Sequence, residues 1–233
     1  MTSHLSPVLR IALIGMSGSG KTFWAKRLAA SGRQSITCDD RIELRLSSHL
    51  AADGYSGING MAAWMGWPDS VTYAQREADY LAAEIAALDE LLTELERDPG
   101  GELVLDTTGS VIYTGNNILM RLRRQMTVVY LATSAEEQQL LIERYLNDPK
   151  PVLWRGAFQP KNGETSHDTV ARCYPALVAA RRQSYEALAH CTLPVAELHA
   201  LSETPESALS GAEDFLEKVR AQIEKKSGRA SGL

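Results

Sequence analysis

Between Ile14 and Thr22 the chain reads IGMSGSGKT, which sets Gly15 and Gly20 ahead of Lys21 and Thr22 in the G-x-x-x-x-G-K-[ST] spacing of a phosphate-binding loop. A glycine-rich turn points consecutive backbone N–H groups inward, and the helix that follows adds the positive end of its dipole, so such a loop selects phosphate oxygens. Gly15, Gly18 and Gly20 free the backbone for the turn, and Ser17 and Ser19 complete its contacts. Lys21 is placed to reach the β- and γ-phosphates, and the Thr22 hydroxyl to hold Mg²⁺. A Gly/Ser-rich turn can match by chance, but this one follows a strand-like run, VLRIALIG, and opens a helical pattern, KTFWAKRLAAS. That is the context a real phosphate loop requires.

Carboxylates complete such a site. Asp106 ends the apolar run ELVLD, where an acid contacting Mg²⁺ belongs, and Asp39 and Asp40 follow the short run QSITC. An acid facing the γ-phosphate can take the proton of a substrate hydroxyl. Each also has a plain structural reading, Asp106 as a turn residue or cap and the other two as helix caps.

The elements that must position these groups alternate. Strand candidates lie at VLRIALIG, QSITC, ELVLD, MTVVYL and near CTLPVAEL. Helical patterns separate them, including a long amphipathic one from about Ser70 to Arg97 and one opened by Ser134 with Glu137 three residues on, a capping box. Residues 51–61, AADGYSGINGM, read as a loop between helices. Residues 147–166 hold several prolines and glycines without periodicity and read as a long mobile lid, which carries Lys150 and Arg155. Arg144, in the helix before that lid, completes the candidate nucleotide contacts. A final helix is expected from about Thr204. Alternating strands and helices argue for an α/β fold in which helices cover both faces of a parallel sheet, with ligands at the carboxyl ends of the strands.

With 233 residues and 44% hydrophobic content, the chain supports one large domain over residues 1–225, and the small, polar, basic residues 226–233 read as a disordered tail. A formal charge of −5 offers no electrostatic footprint for nucleic acid or an anionic membrane. Cys38, Cys173 and Cys191, odd in number and widely spaced, suit reduced thiols better than disulfides or zinc. Without a leader or a spanning run in the sequence as read, a cytoplasmic monomer or homodimer is expected.

Several ordered segments together resemble the shikimate kinase family of small P-loop kinases: GMSGSGKT, ITCDDRIE, GWP with YAQREADYL, VLDTTGSVI, TVVYLATSAEE and AARRQSYEALA. The resemblance implies a five-stranded parallel sheet of the P-loop NTPase type with a mobile lid. It also implies transfer of the γ-phosphoryl group of ATP, with Mg²⁺, to a small hydroxylated molecule. Asp40 falls at the substrate-hydroxyl position, while Cys38 replaces the family's first aspartate and leaves metal binding to Asp39 or Asp106. Arg181, four residues before Tyr185, becomes the candidate for an anionic substrate group, and Lys150 and Arg155 stand in for a lid arginine. Gly109, in the turn Thr108-Gly109-Ser110 that replaces a triple glycine, is a candidate substrate contact. Ala74 takes the place of a carboxylate-gripping arginine, with Arg76 nearby as a candidate replacement, so shikimate is not singled out as the acceptor. The expected function is an ATP-dependent kinase acting on a hydroxyl of a small, anionic metabolite. The alternative is a nucleotide-binding regulatory module with little phosphotransfer.

Overall fold

A computed structural model describes residues 10–98, 100–202 and 208–230. Five parallel strands, β1 (Ile11–Ile14), β2 (Gln34–Thr37), β3 (Leu103–Asp106), β4 (Thr127–Ala132) and β5 (Cys191–Pro194), form one sheet in the order β2-β3-β1-β4-β5. Every residue of β1 and β3 is buried, which explains why both read as unbroken apolar runs and not as alternating ones.

Alternation survives in the choice of core layer. Ala12 and Ile14 join Leu105, Val128 and Tyr130 on one face, whereas Ile11 and Leu13 join Val104, Val129 and Leu131 on the other. The first face is covered by α2 (Cys38–Ala52), α3 (Gly57–Met65), α4 (Tyr73–Arg97), α5 (Asn116–Gln125), α6 (Ala135–Asn147) and α7 (Ser166–Leu188). The second is covered by α1 (Lys21–Ala30), α8 (Val195–Ser202) and α9 (Ala208–Ala230), where Trp24 stacks on Phe215 at 4.9 Å between ring centroids. The expected capping box opens α6 at Ser134, and a second, Thr165 with Asp168, opens α7.

Four expectations change. Residues 57–61 are helical, not loop: α3 buries Met61, Ala62, Trp64 and Met65, and the Gly57 amide donates to Glu43 Oε1 at 2.5 Å. Burial of that stripe outweighs the poor helix propensity of Gly-Ile-Asn-Gly. Asp39 and Asp40 sit inside the first turn of α2, which begins at Cys38, and Thr37 occupies the cap position. The last strand stops at Pro194, and Val195–Leu198 already belong to α8. Helix α9 runs to Ala230 through most of the expected tail; the helix start near Thr204 and residues 231–233 lie outside the described residues.

The segment 148–165, between α6 and α7, is docked along its middle. Val152, Leu153 and Trp154 are buried, the Trp154 N–H donates to the Tyr73 hydroxyl at 3.0 Å, and the Arg155 N–H donates to Glu77 Oε1 at 2.9 Å. It behaves as a strap whose anchor residues belong to the core.

Phe215→Ala is expected to lower stability by about 3–5 kcal/mol, because it deletes the ring that α9 stacks on Trp24. Urea unfolding followed by tryptophan fluorescence measures this, and a loss below about 1 kcal/mol would mean that α9 does not cover that face.

Candidate active site

Three neighbouring strands end together. The register pairs Leu13 of β1 and Thr37 of β2 with Asp106 of β3, so the phosphate loop after β1 and the start of α2 flank the Asp106 carboxylate. The three chain segments converge at one edge because their strands are parallel.

The loop needs its first glycine. Gly15 has φ +144, and a Cβ there would stand 2.9 Å from the Leu131 carbonyl oxygen, so a side chain would collide with β4. Lys21 folds back over the loop, donating from Nζ to the Gly15 and Met16 carbonyl oxygens at 3.1 and 2.9 Å. Burial lowers its pKa, and the charges of Asp106 and Asp39 oppose that shift.

Burial raises the pKa of Asp106, against the pull of Lys21 and of the nearby Thr22 hydroxyl. Asp106 Oδ2 is buried without a hydrogen-bond partner, as is the Ser19 hydroxyl. Asp39 accepts from the Tyr80 hydroxyl at 3.2 Å and is pushed up to about 6, first by burial and then by Asp106. Asp40 is exposed beside it. Among the described residues no cluster of three or more His, Cys, Asp and Glu side chains surrounds a metal position. Mg²⁺ does not require one, because it keeps water and takes one or two carboxylates together with phosphate oxygens. An unpartnered buried carboxylate oxygen beside a threonine hydroxyl fits that demand.

A cavity of about 880 Å³ gathers most of the candidate residues. Ser17, Gly18, Gly20, Lys21 and Thr22 line it, with Asp39, Asp40, Asp106 and Gly109 on the β2/β3 side and Arg144 and Lys150 from α6 and the strap. Arg144 lies against the loop, 3.4 Å from the Gly18 carbonyl oxygen. Lys150 pairs with Asp148 at 2.9 Å and donates to Asn59.

Arg155 and Arg181 are not on that wall. Arg155, with φ +49, lies over the Tyr113 ring and 4.0 Å from Glu77. Arg181 is 1% exposed; its guanidinium donates to the Gly109 carbonyl oxygen at 3.0 Å and to that of Leu153. Arg76, the candidate replacement for the missing arginine, pairs with Asp53 at 2.8 Å and lies over Trp64, away from the cavity lining.

Two features escaped the sequence reading. Lys26 lines the cavity one turn into α1. Glu84 is fully buried, accepting from Ser110 at 2.6 Å and from Thr108, and so tethers the turn that carries Gly109. A Cβ on Gly109 would come within 3.1 Å of the Ser17 nitrogen, so this turn packs directly on the phosphate loop. The signal was present: Tyr73, Glu77, Tyr80 and Glu84 repeat every three or four residues along the buried stripe of α4, and a polar group on such a stripe marks an internal partner.

Solved structures share this architecture. Shikimate kinase from Acinetobacter baumannii, in complex with shikimate, superimposes with a TM-score of 0.57 at 23% identity, over 92% of this chain and 94% of that one. Shikimate kinase from Bacteroides thetaiotaomicron gives 0.55 at 19% identity over 91% and 98% of the two chains. The enzyme from Aquifex aeolicus vf5 gives 0.51 at 17% over 91% and 97%. At these identities the likeness establishes the fold. No family model matches the chain, and no curated protein matches it.

Glu84 generates a pH prediction. Burial pushes its carboxyl up to about 7 from 4.5, against the hydrogen bonds of Ser110 and Thr108; Asp39 adds to the shift and Arg181 opposes it. Because the folded state holds this proton more tightly, stability is greatest below the unfolded value and falls as pH rises from about 4.5 to about 7. Glu84→Gln, which cannot ionise, is expected to flatten that decline in urea midpoints measured from about pH 5 to about pH 8. An unchanged slope would show that Glu84 titrates normally.

Proposed function

We propose that this chain is a kinase that transfers the γ-phosphoryl group of ATP to a hydroxyl of a small molecule. The observation that carries this reading is the meeting, in one cavity, of the phosphate-loop Lys21 and Thr22 with Asp39, Asp40 and Asp106 from the two adjacent strand ends. A module that only binds nucleotide has no use for an extra exposed carboxylate beside the Mg²⁺ donors. The shared fold of the solved shikimate kinases agrees with the reading at the level of architecture.

In this reading the phosphate loop and Arg144 hold the nucleotide. Thr22 and Asp106, with Asp39 beside them, would hold Mg²⁺, which supplies charge neutralisation between phosphate oxygens. Asp40 accepts the proton of the attacking hydroxyl. Lys21 and Lys150 stabilise the negative charge of the transferring group, since phosphoryl transfer asks the protein for positioning and electrostatics and for little covalent chemistry. Lys150 takes the lid role here because it is on the cavity wall, whereas Arg155 and Arg181 are not.

The test is ADP release from Mg²⁺-ATP with and without a panel of alcohols. Stimulated release that disappears in Lys21→Ala is the expected result. Asp40→Asn should retain ATP binding and lose about 10²–10⁴-fold in transfer. Normal transfer by Asp40→Asn would remove Asp40 from the base role, and binding without stimulated turnover would favour the regulatory alternative.

A further inference from the structure

Arg181 does not line the cavity, but the tyrosine two helical turns before it on α7 does. Tyr174 belongs to the same buried stripe, with Leu177 and Val178 between the two. It is 1% exposed, and its ring packs against Tyr145 of α6 at 5.6 Å between centroids and against Trp154 of the strap at 6.0 Å. A helix and the docked strap thus fix the ring from two sides.

A buried tyrosine ordinarily finds a partner for its hydroxyl. Tyr80 donates to Asp39 at 3.2 Å, Tyr145 accepts from the Trp154 indole N–H at 3.2 Å, Tyr73 donates to the Val152 carbonyl oxygen at 2.8 Å, and Tyr185 donates to that of Gly109. Tyr174 has no such partner among the described residues. Burial pushes its hydroxyl up to about 12, Arg181 opposes the shift through its charge, Tyr145 adds to it, and no hydrogen bond takes part. The oxygen is not one of the polar atoms sealed in the core without a partner, so it opens on the cavity that the residue lines.

Whatever fills the cavity at this point must offer the hydroxyl an oxygen or leave a buried donor unmet, at a cost in affinity. The phosphates of a nucleotide already have the loop, Lys21 and Arg144. Tyr80, Tyr145 and Tyr174, from three different helices, remain for the acceptor. With Ile58 and Pro151 they make a wall that is apolar over its rings and polar at few points, the character of a small-molecule site.

Resting on the kinase reading above, we propose that Tyr174 is an acceptor-binding residue, whose hydroxyl donates to a second oxygen of the acceptor, a hydroxyl or a carboxylate, away from the hydroxyl that receives the phosphoryl group.

Tyr174→Phe keeps the ring against Tyr145 and Trp154 and removes only the oxygen. Calorimetry of wild type and variant, with Mg²⁺ and a non-hydrolysable ATP analogue present, is run with gluconate, glucitol and shikimate. The compound that wild type binds best is expected to lose about ten-fold in affinity in the variant, while the affinity for the ATP analogue stays the same. A loss confined to gluconate and shikimate identifies a carboxylate as the second oxygen, and a loss shared by glucitol identifies a hydroxyl. Equal affinity in the two proteins, a matching loss for the ATP analogue, or no binding of any compound by wild type overturns the proposal. ADP release separates it from the kinase reading. Stimulated release with an unchanged KM in the variant overturns this proposal alone. Affinity lost in the variant, without stimulated release in wild type, supports it and overturns the kinase reading.

Discussion

Arg181 reaches from α7 into the interior, where its guanidinium donates to the backbone oxygens of Gly109 and Leu153 and lies over the Tyr113 ring. A charge this deeply buried is tolerated only when its donors are satisfied, and here two backbone carbonyls and an aromatic face meet that need. The consequence is mechanical. One side chain connects the turn after β3, the strap between α6 and α7, and, through Met16, the phosphate loop. The Tyr185 hydroxyl donates to the same Gly109 oxygen, and Glu84 holds the neighbouring Thr108 and Ser110 from the α4 side. The turn is therefore clamped from two helices while it packs on the loop.

That clamp stands beside a set of charges which the fold keeps under tension. Lys21, Asp39, Asp106 and Glu84 all have burial as the largest influence on their pKa, lowering the lysine and raising the acids. Burial of this kind costs stability in the free protein and leaves groups whose charged forms gain most from a charged ligand. The unpartnered oxygen of Asp106 is the clearest instance, since a buried carboxylate oxygen without a donor is satisfied by a cation more readily than by anything else nearby.

Much of this was legible from the chain alone. The phosphate loop, the apolar runs of β1 and β3 and the serine cap at 134 each rest on interactions between residues close in sequence, so local spacing reports them directly. α3 was hidden because its sequence is rich in glycine and asparagine, and the stripe that stabilises it exists only against the first core layer. The strap was hidden for a related reason: Pro and Gly without periodicity describe a segment that cannot be regular, but say nothing about whether Val152, Leu153 and Trp154 find a place in the core.

The sequence by itself determined the phosphate-loop spacing and the order of strands and helices along the chain, because a glycine-rich loop between strand and helix and an apolar period are local patterns imposed by backbone geometry. Only the tertiary structure decided which charges face the cavity. Arg181 looks like a surface-capable helix residue in one dimension, yet long-range contacts with Leu153 and Gly109 bury it and remove it from the wall. Partners so far away along the chain leave no signature in local spacing, and they set which groups remain to meet an acceptor.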